Sequence, residues 1–337
     1  EDDDEFTGAT FAANTIYGLG GNDDLTGGNL DDVIYGGDGR DDFYPSGGND
    51  SFFGGEGNDF LRFDEHRAGV IINQETGIID DGLGNTHSID SIEYFTGTKF
   101  DDVFYSKDTF EHWKVFNGVG GNDDIFLADG IDWIAVDHWN NNDGEINKLT
   151  IHNYNSVEQQ NATYQPALDT YGVYTYADII NVYENDYGYD TDNWYQEFTI
   201  SADDSDPENT VTYLGVQTSS KSIHDLVTLH GDFALRALER YSDDDVQIVL
   251  DNNDLNSTAE VFTKHYNSDL YIPNFNAYDN LIFLWDHQFD EQAWEEQLAF
   301  SYNSDFSQTY IDLATENSNT KITLEGYFGL NENTVLL

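Results

Sequence analysis

The 337-residue chain carries 66 acidic residues against 12 basic ones, a formal net charge of -54, yet 38% of its residues are hydrophobic and 15% aromatic. So acidic a surface repels nucleic acid and anionic lipid and takes cations as its counter-ions, while the apolar content is enough for a core and argues against overall disorder. The absence of cysteine excludes disulfides, zinc-thiolate sites and a cysteine nucleophile, and no apolar run reaches the roughly 18 residues that a membrane span requires.

The length suits two or three domains. The chain begins at Glu1 without Met and without a charged-then-apolar leader pattern, so a processed chain or a segment of something longer is expected.

In chain order, the first organised feature is a nine-residue repeat. With Gly18 as position one, units start at 18, 27, 36, 45 and 54. Position six is Asp23, Asp32, Asp41, Asp50 and Asp59, and position eight is Leu25, Ile34, Phe43, Phe52 and Leu61. The units at 36 and 54 fit Gly-Gly-x-Gly-x-Asp-x-apolar-x, a signature of calcium-binding parallel β-helices. Glycine admits positive φ and lets the turn aim its carbonyls inward. A hard cation takes six to eight such oxygens, and the Asp adds charge. The last three residues of each unit form a short strand with one inward apolar side chain.

Two units make an 18-residue coil, so like-sided turns stack every second unit. Three calcium sites are expected, at Asp23 with Asp41, Asp41 with Asp59, and Asp32 with Asp50. The candidate ligands are the Asp carboxylates together with turn residues Gly18, Gly20, Gly27, Gly36, Asp38, Gly47, Gly54 and Glu56. The second row is the weaker, because Leu30 replaces a turn glycine and Pro45-Ser46 replaces a glycine pair. Without metal, one apolar residue in nine offers too little burial to offset roughly 1–2 kcal/mol of backbone entropy per residue. Folding of the coils is therefore expected to be coupled to binding.

On these motifs the chain resembles the RTX (repeats-in-toxin, haemolysin-type calcium-binding) family over residues 9 to 127. The stretch "ATFAANTIY" before Gly18 is similar to a decayed unit that keeps an inward Ile16. The stretch after the fifth unit is similar to spacers between RTX arrays, with a hairpin-like "GVIINQETGIID" and a return to "GTKFDDVFY". There Asp102 and Phe104 stand at positions six and eight. "GVGGNDDIF" then adds Gly118, Gly120 and Asp123 as candidate ligands. Gly97 and Gly118 lie 21 residues apart rather than 18, so an Asp102–Asp123 site requires a three-residue bulge.

Beyond residue 129 the glycine rhythm stops. Short β-like runs follow, such as "KLTIHNY", "QEFTIS", "NTVTYLGV" and "DVQIVLD". "SIHDLVTLHGDFALRALERY" reads either as part helix with Ser222 as N-cap or as two strands around His230-Gly231. "DEQAWEEQLAF" reads as a short amphipathic helix capped by Asp290, with Trp294 and Leu298 inward. The expected fold is mostly all-β, a parallel β-roll followed by a β-rich C-terminal region with one or two short helices. The expected division is 1–129, 130–268 and 269–337.

The elements "DLYIPNFNAYDNLIFLWD" and "KITLEGYFGLNENTVLL" are similar to the C-terminal regions of RTX exports and to uncleaved type I secretion signals. The resemblance implies an extracellular or cell-surface bacterial protein, handled by the type I secretion machinery unfolded and folded outside by calcium. Extracellular calcium sites reach Kd values of roughly 10⁻³ M, which suits such a switch.

No catalytic constellation emerges. His-Glu-x-x-His, Gly-x-Ser-x-Gly and the phosphate-loop pattern are all missing. The histidines, among them His66, His112, His138, His224 and His287, are scattered and read as surface or packing residues. Asp186, Asp190 and Asp192 read as a solvated acidic loop ahead of a further cation site, and Trp133, Trp139, Trp194 and Tyr195 as β-core aromatics ahead of a sugar-binding face. A non-enzymatic structural or adhesive protein is expected, with self-assembly or a cell-surface glycan as partner. The competing readings are the export and folding end of a larger secreted hydrolase, and a carbohydrate-binding module in 130–268.

Overall fold

The computed structural model describes residues 3–107, 109–128, 130–136, 148–154, 179–183, 194–203, 205–206, 209–217, 222–240, 245–252, 260–263, 269–272, 280–283, 298–302, 304, 308–314, 319–325 and 335–336. The chain divides into two units. The first comprises Glu1–Tyr154 with Tyr213–Gly215 and Ile223–His230, and the second Asn155–Thr212, Val216–Ser222 and Gly231–Leu337.

In the first unit the repeat winds as coils whose strands form two stacks. One stack holds β1 (Glu5–Thr7), β3 (Asp24–Thr26), β5 (Asp42–Tyr44), β7 (Phe60–Arg62), β11 (Tyr94–Thr96), β13 (Thr109–Asn117) and β15 (Gly130–Val136), neighbour on neighbour. The other holds β2 (Thr15–Gly20), β4 (Val33–Asp38), β6 (Ser51–Glu56), β10 (Thr86–Asp90), β9 (Ile78–Asp80), β8 (Ile71–Asn73), β12 (Val103–Tyr105), β14 (Asn122–Phe126) and β16 (Lys148–His152), and then the strand Ser222–His230. The pairing is parallel and in 18-residue register through the array, as in Leu25↔Phe43 and Ile34↔Phe52. A parallel roll of short strands is thus the observed class.

The period-two alternation of each strand explains the core. Leu25, Ile34, Phe43, Phe52 and Leu61 are at most 1% exposed, and Ile16 of the decayed unit is 4% exposed. Residues flanking them face outward, where in-register stacking places Tyr17 on Tyr35 and Tyr35 on Phe53 at ring separations of 4.9 and 4.8 Å. One detail departs from the expected three-residue strands. β2, β4 and β6 each run six residues, continuing into positions one to three of the following turn.

The spacer is a hairpin built into the second stack. β8 and β9 pair antiparallel with Ile72 opposite Ile79, and β9 pairs antiparallel with β10. β10 in turn continues β6, and β12 continues β8, both in parallel. The first stack passes over the spacer directly, with Phe60 opposite Tyr94. The 21-residue offset is absorbed between Tyr105 and Val115. Val103 pairs Asp124 on one side of that arm and Tyr94 pairs Val115 on the other, both 21 residues apart.

The second unit is largely antiparallel. Ile179–Tyr183 pairs Asp245–Asn252, which pairs Phe233–Arg240, and Gln308–Ala314 lies between Leu298–Tyr302 and Asn319–Glu325. Asp269–Ile272 joins Phe233–Arg240 antiparallel and Asn319–Glu325 parallel. Glu260–Thr263, Asn280–Phe283 and Val335–Leu336 form a three-stranded parallel sheet.

Ser222–Arg240 resolves as two strands, Ser222–His230 and Phe233–Arg240, rather than a helix. Gly231 turns the chain at φ 142, a conformation closed to a residue with a Cβ. The helix expected at 290–300 needs correction at its end: Leu298 opens a strand and pairs Leu313, while 290–297 lie outside the described residues. The described helical content is one 3-10 turn, Trp194–Glu197. Asp186, Asp190, Asp192, Trp139, His138 and His287 also lie outside the described residues. Among the described residues no helix is long and apolar enough to cross a membrane.

Candidate metal centre

The turns between strands carry the acidic positions, and each position-six Asp sits immediately before an inward-facing strand. Asp23, Asp41 and Asp59 precede β3, β5 and β7, while Asp32 and Asp50 precede β4 and β6 by no more than one residue. All five are at most 1% exposed. The backbone holds them in a ladder. The Asp23 amide donates to Asp41 Oδ1 at 3.0 Å and the Asp41 amide to Asp59 Oδ1 at 2.9 Å. In the second row the Asp32 amide donates to Asp50 Oδ1 at 2.9 Å. An outer ladder at position five runs alongside, as in Arg40 N–H to Asn22 Oδ1 at 3.0 Å and Asn49 N–H to Asp31 Oδ1 at 2.8 Å.

The other carboxylate oxygen is the informative atom. Oδ2 of Asp23, Asp41 and Asp59 is buried and has no hydrogen-bond partner. An orphaned buried anion is costly unless a cation meets it. Where these atoms point is shown by the position-one glycines. A Cβ on Gly18 would strike Asp23 Oδ2 and lie 2.6 Å from the Gly36 carbonyl oxygen. A Cβ on Gly36 would strike Asp41 Oδ2 and lie 2.8 Å from the Gly54 carbonyl oxygen. Each row-one gap therefore gathers a carboxylate oxygen from one turn and a carbonyl from the next. This donor set is all oxygen and partly charged, the kind a calcium ion takes.

Glycines at positions two and four serve a different need. Gly37 and Gly55 have φ of 126 and 123, and Gly39 and Gly57 have 127 and 134. Leu19 and Val119 hold the same turn position with φ of 81 and 66, in the region that L-residues disfavour.

The second row is chemically different. Asp32 Oδ2 accepts from the Gly28 amide at 2.5 Å, and Asp50 Oδ2 from the Ser46 hydroxyl at 3.4 Å. Its first turn is closed by Asn14, whose Nδ2 donates to Asp32 Oδ1 at 2.8 Å and to the carbonyls of Ala9 and Ala12 at 3.2 and 2.9 Å. There a side-chain amide binds a carboxylate and turn carbonyls together. At the far end the Asp50 amide donates to His87 Nδ1 at 3.2 Å. Burial pushes the His87 imidazole down, which keeps Nδ1 free to accept.

Beyond the spacer the same geometry returns. The Asp102 amide donates to Asp123 Oδ1 at 2.9 Å, and a Cβ on Gly97 would strike Asp102 Oδ2 and lie 3.2 Å from the Gly118 carbonyl. The bulge leaves the turns aligned because it lies in the arm between them. Asp102 Oδ2 accepts from the Thr98 amide at 2.6 Å, and Asp123 Oδ2 is orphaned.

The remaining candidates contribute backbone only. The Asp38 and Glu56 side chains are exposed, and their carbonyls accept from Gly21 and Gly39 of the preceding coil at 3.0 and 2.8 Å. Gly20 and Gly120 are buried at the same turn position, and Gly47 half-buried. Among the described residues no three metal-binding side chains converge. His66 packs its ring edge-on to Phe63 and reaches the Asp81 carbonyl at 2.9 Å, a packing role.

Electrostatics match the geometry. Burial, followed by the neighbouring carboxylates, pushes the carboxyls above the ordinary 3.8: Asp41 and Asp50 to about 6, Asp59 to about 7, and Asp123 to about 9. Burial also raises Asp102 to about 6. A cation beside these carboxylates would favour their ionised form.

Strand register also identifies positions that the nine-residue spacing misses, each a buried polar side chain two places before an apolar one. His87-Ser88-Ile89 follows Asp50-Ser51-Phe52 in register, and Glu93-Tyr94-Phe95 follows Asp59-Phe60-Leu61. Both stand where the next Asp of their row belongs.

Residues 9–34, 17–52 and 26–61 match the model of the RTX calcium-binding nonapeptide repeat, in 4 copies. No curated protein matches the chain. The N-terminal region thus carries RTX repeats, which bind Ca²⁺ and mark a calcium-binding protein of the secreted type. Proteins with such repeats are typically secreted by bacteria, which points to an extracellular location.

Proposed function

We propose that this is a non-enzymatic, calcium-folded extracellular protein with a structural or adhesive role, exported through type I secretion before its coils form. The observation that carries the reading is the column of buried carboxylate oxygens without partners at Asp23, Asp41 and Asp59. In this reading calcium is held by those carboxylates and by the turn carbonyls, including those of Gly36 and Gly54. The second row, Asp32 with Asp50, and the later pair, Asp102 with Asp123, hold further ions. Calcium supplies the positive charge that makes the stack stable. The chain supplies the pre-set carbonyls, the Oδ1 ladder that fixes each carboxylate, and the apolar strip beneath. In a calcium-poor cytosol the repelling carboxylates keep the coils open for export.

The structural role rests on charge. A formal net charge of -54 far exceeds what a handful of intramolecular divalent ions neutralises, which leaves acidic surface for calcium to bridge between molecules. Sedimentation velocity with light scattering across a calcium titration tests this. The expected result is compaction followed by association into larger species. A compact monomer at millimolar calcium overturns the assembly role.

A further inference from the structure

The row-one column does not end at Asp59. We infer that the gap between Asp59 and Glu93 is a further calcium site, built from the spacer rather than from a glycine repeat; the inference rests on the reading of row one as a calcium column.

Three observations converge. First, the Asp59 amide donates to Glu93 Oε2 at 3.0 Å, as the Asp23 amide does to Asp41 and the Asp41 amide to Asp59. Glu93 is 7% exposed and immediately precedes β11, the next strand of the stack. Second, Asp59 Oδ2 is buried without a partner, and a Cβ on Gly54 would strike both that atom and the Ser91 carbonyl oxygen. Ser91 therefore presents its carbonyl where Gly36 and Gly54 present theirs to the turns before them. Third, Gln74 beside this turn is 7% exposed, and its Oε1 also lacks a partner while its Nε2 reaches the Ile92 carbonyl at 3.3 Å.

The substitution of Glu for Asp follows from the turn. Position one to position six spans five residues in the repeats, Gly54 to Asp59, but only two from Ser91 to Glu93. The shorter turn sets the carboxylate-bearing Cα differently, and the extra methylene of Glu restores its reach. Ser91 adopts φ 54 to make this turn, a strained value for a residue with a Cβ. A cavity of about 560 Å³ opens beside it, lined by Glu56, Gln74, Glu75, Asp90, Glu93 and Lys107 among others, so a hydrated cation has a path through acidic surroundings.

The site caps the array at its junction with the spacer, where Ser91 and Glu93 stand next to Asp59. Calcium there would fasten the spacer coil to the repeats.

Equilibrium dialysis against radioactive calcium counts the ions, with Glu93→Gln as the variant and Asp41→Ala as the row-one control. Glu93→Gln retains an acceptor for the Asp59 amide, so circular dichroism in calcium should match the parent. The expected result is one ion fewer than the parent. An anomalous difference map from crystals of the unaltered protein grown in terbium needs no variant. Its expected feature is a peak bounded by Asp59, the Ser91 carbonyl and Glu93. An unchanged count in Glu93→Gln, or peaks in the Asp23–Asp41 and Asp41–Asp59 gaps with none at Glu93, overturns the inference and leaves row one standing. A parent that binds no calcium overturns both.

Discussion

The repeat coils and the C-terminal strands bury apolar side chains at different densities. In Asp245–Asn252 the alternate residues Val246, Ile248 and Leu250 are all 0% exposed. Ile311, Ile322 and Leu324 fill the antiparallel strands that follow with exposures of at most 1%. Each coil turn instead contributes one apolar residue in nine and one buried carboxylate. The contrast shows what each region needs to fold. Antiparallel strands with alternating apolar residues can offset their chain entropy by burial alone. The coils add a desolvated charge to a thin core, so their stability must come largely from a cation. The two regions should answer differently to the same perturbations.

The largest effect is expected from Asp41→Ala. Asp41 takes part in two gaps, its Oδ1 accepting the Asp23 amide and its Oδ2 facing the Gly54 carbonyl, so one substitution disturbs both. The calcium midpoint for coil folding should rise by about 100-fold, at 1.4 kcal/mol per tenfold, as read by circular dichroism during titration. A midpoint unchanged from the parent would remove row one as the calcium column. Next comes Ile322→Ala, which opens a cavity in the antiparallel core and should cost about 2–5 kcal/mol. Its signature in urea melts is destabilisation that calcium does not rescue.

Acidity sharpens the contrast without mutation. Asp41, Asp50 and Asp59 have folded values near 6 to 7 against an ordinary 3.8, and Asp123 about 9. A carboxyl raised on folding favours the folded state fully below about pH 4, and that contribution is lost as pH climbs through the folded value. In EDTA the coils should therefore be most stable near pH 4 and weaken through pH 6 to 9. With calcium the trend reverses, because the metal requires the deprotonated ligand. Urea midpoints at pH 4 and pH 8, with and without calcium, give the four values to compare. The smallest effect is at Leu19, 74% exposed with φ 81. Leu19→Gly relieves that conformation and should stabilise the coils by about 0.5 kcal/mol, after the entropic cost of glycine is deducted.

The array was legible because two constraints repeat on one chain. The carboxylate at position six and the apolar residue two places later are each required in every turn, so the period shows in the residues themselves. Asn14, His87 and Glu93 stand in the rows without that nine-residue signature. Their turns differ in length or polarity, and a search for Asp at fixed spacing passes over them. The signal they keep is the local pair, as in Glu93-Tyr94-Phe95, which needs no fixed period. The C-terminal region carries no repeat to read. Ser222–Arg240 fits helical and strand spacing alike, and the choice falls to the pairing with Asp245–Asn252 and Asp269–Ile272 and to the turn at Gly231. Leu298 is ambiguous for a related reason. An i,i+4 apolar match in a short run does not distinguish a helix from a strand whose partner lies elsewhere in the chain.

Hydrogen–deuterium exchange followed by mass spectrometry, in EDTA and in millimolar calcium, tests the central claim most directly because it reads both regions in one sample. The account predicts that peptides from 15–63 and 94–127 exchange freely in EDTA and become protected in calcium, while peptides covering 245–252 and 319–325 are protected in both. Protection of the repeat peptides in EDTA equal to that in calcium would contradict it.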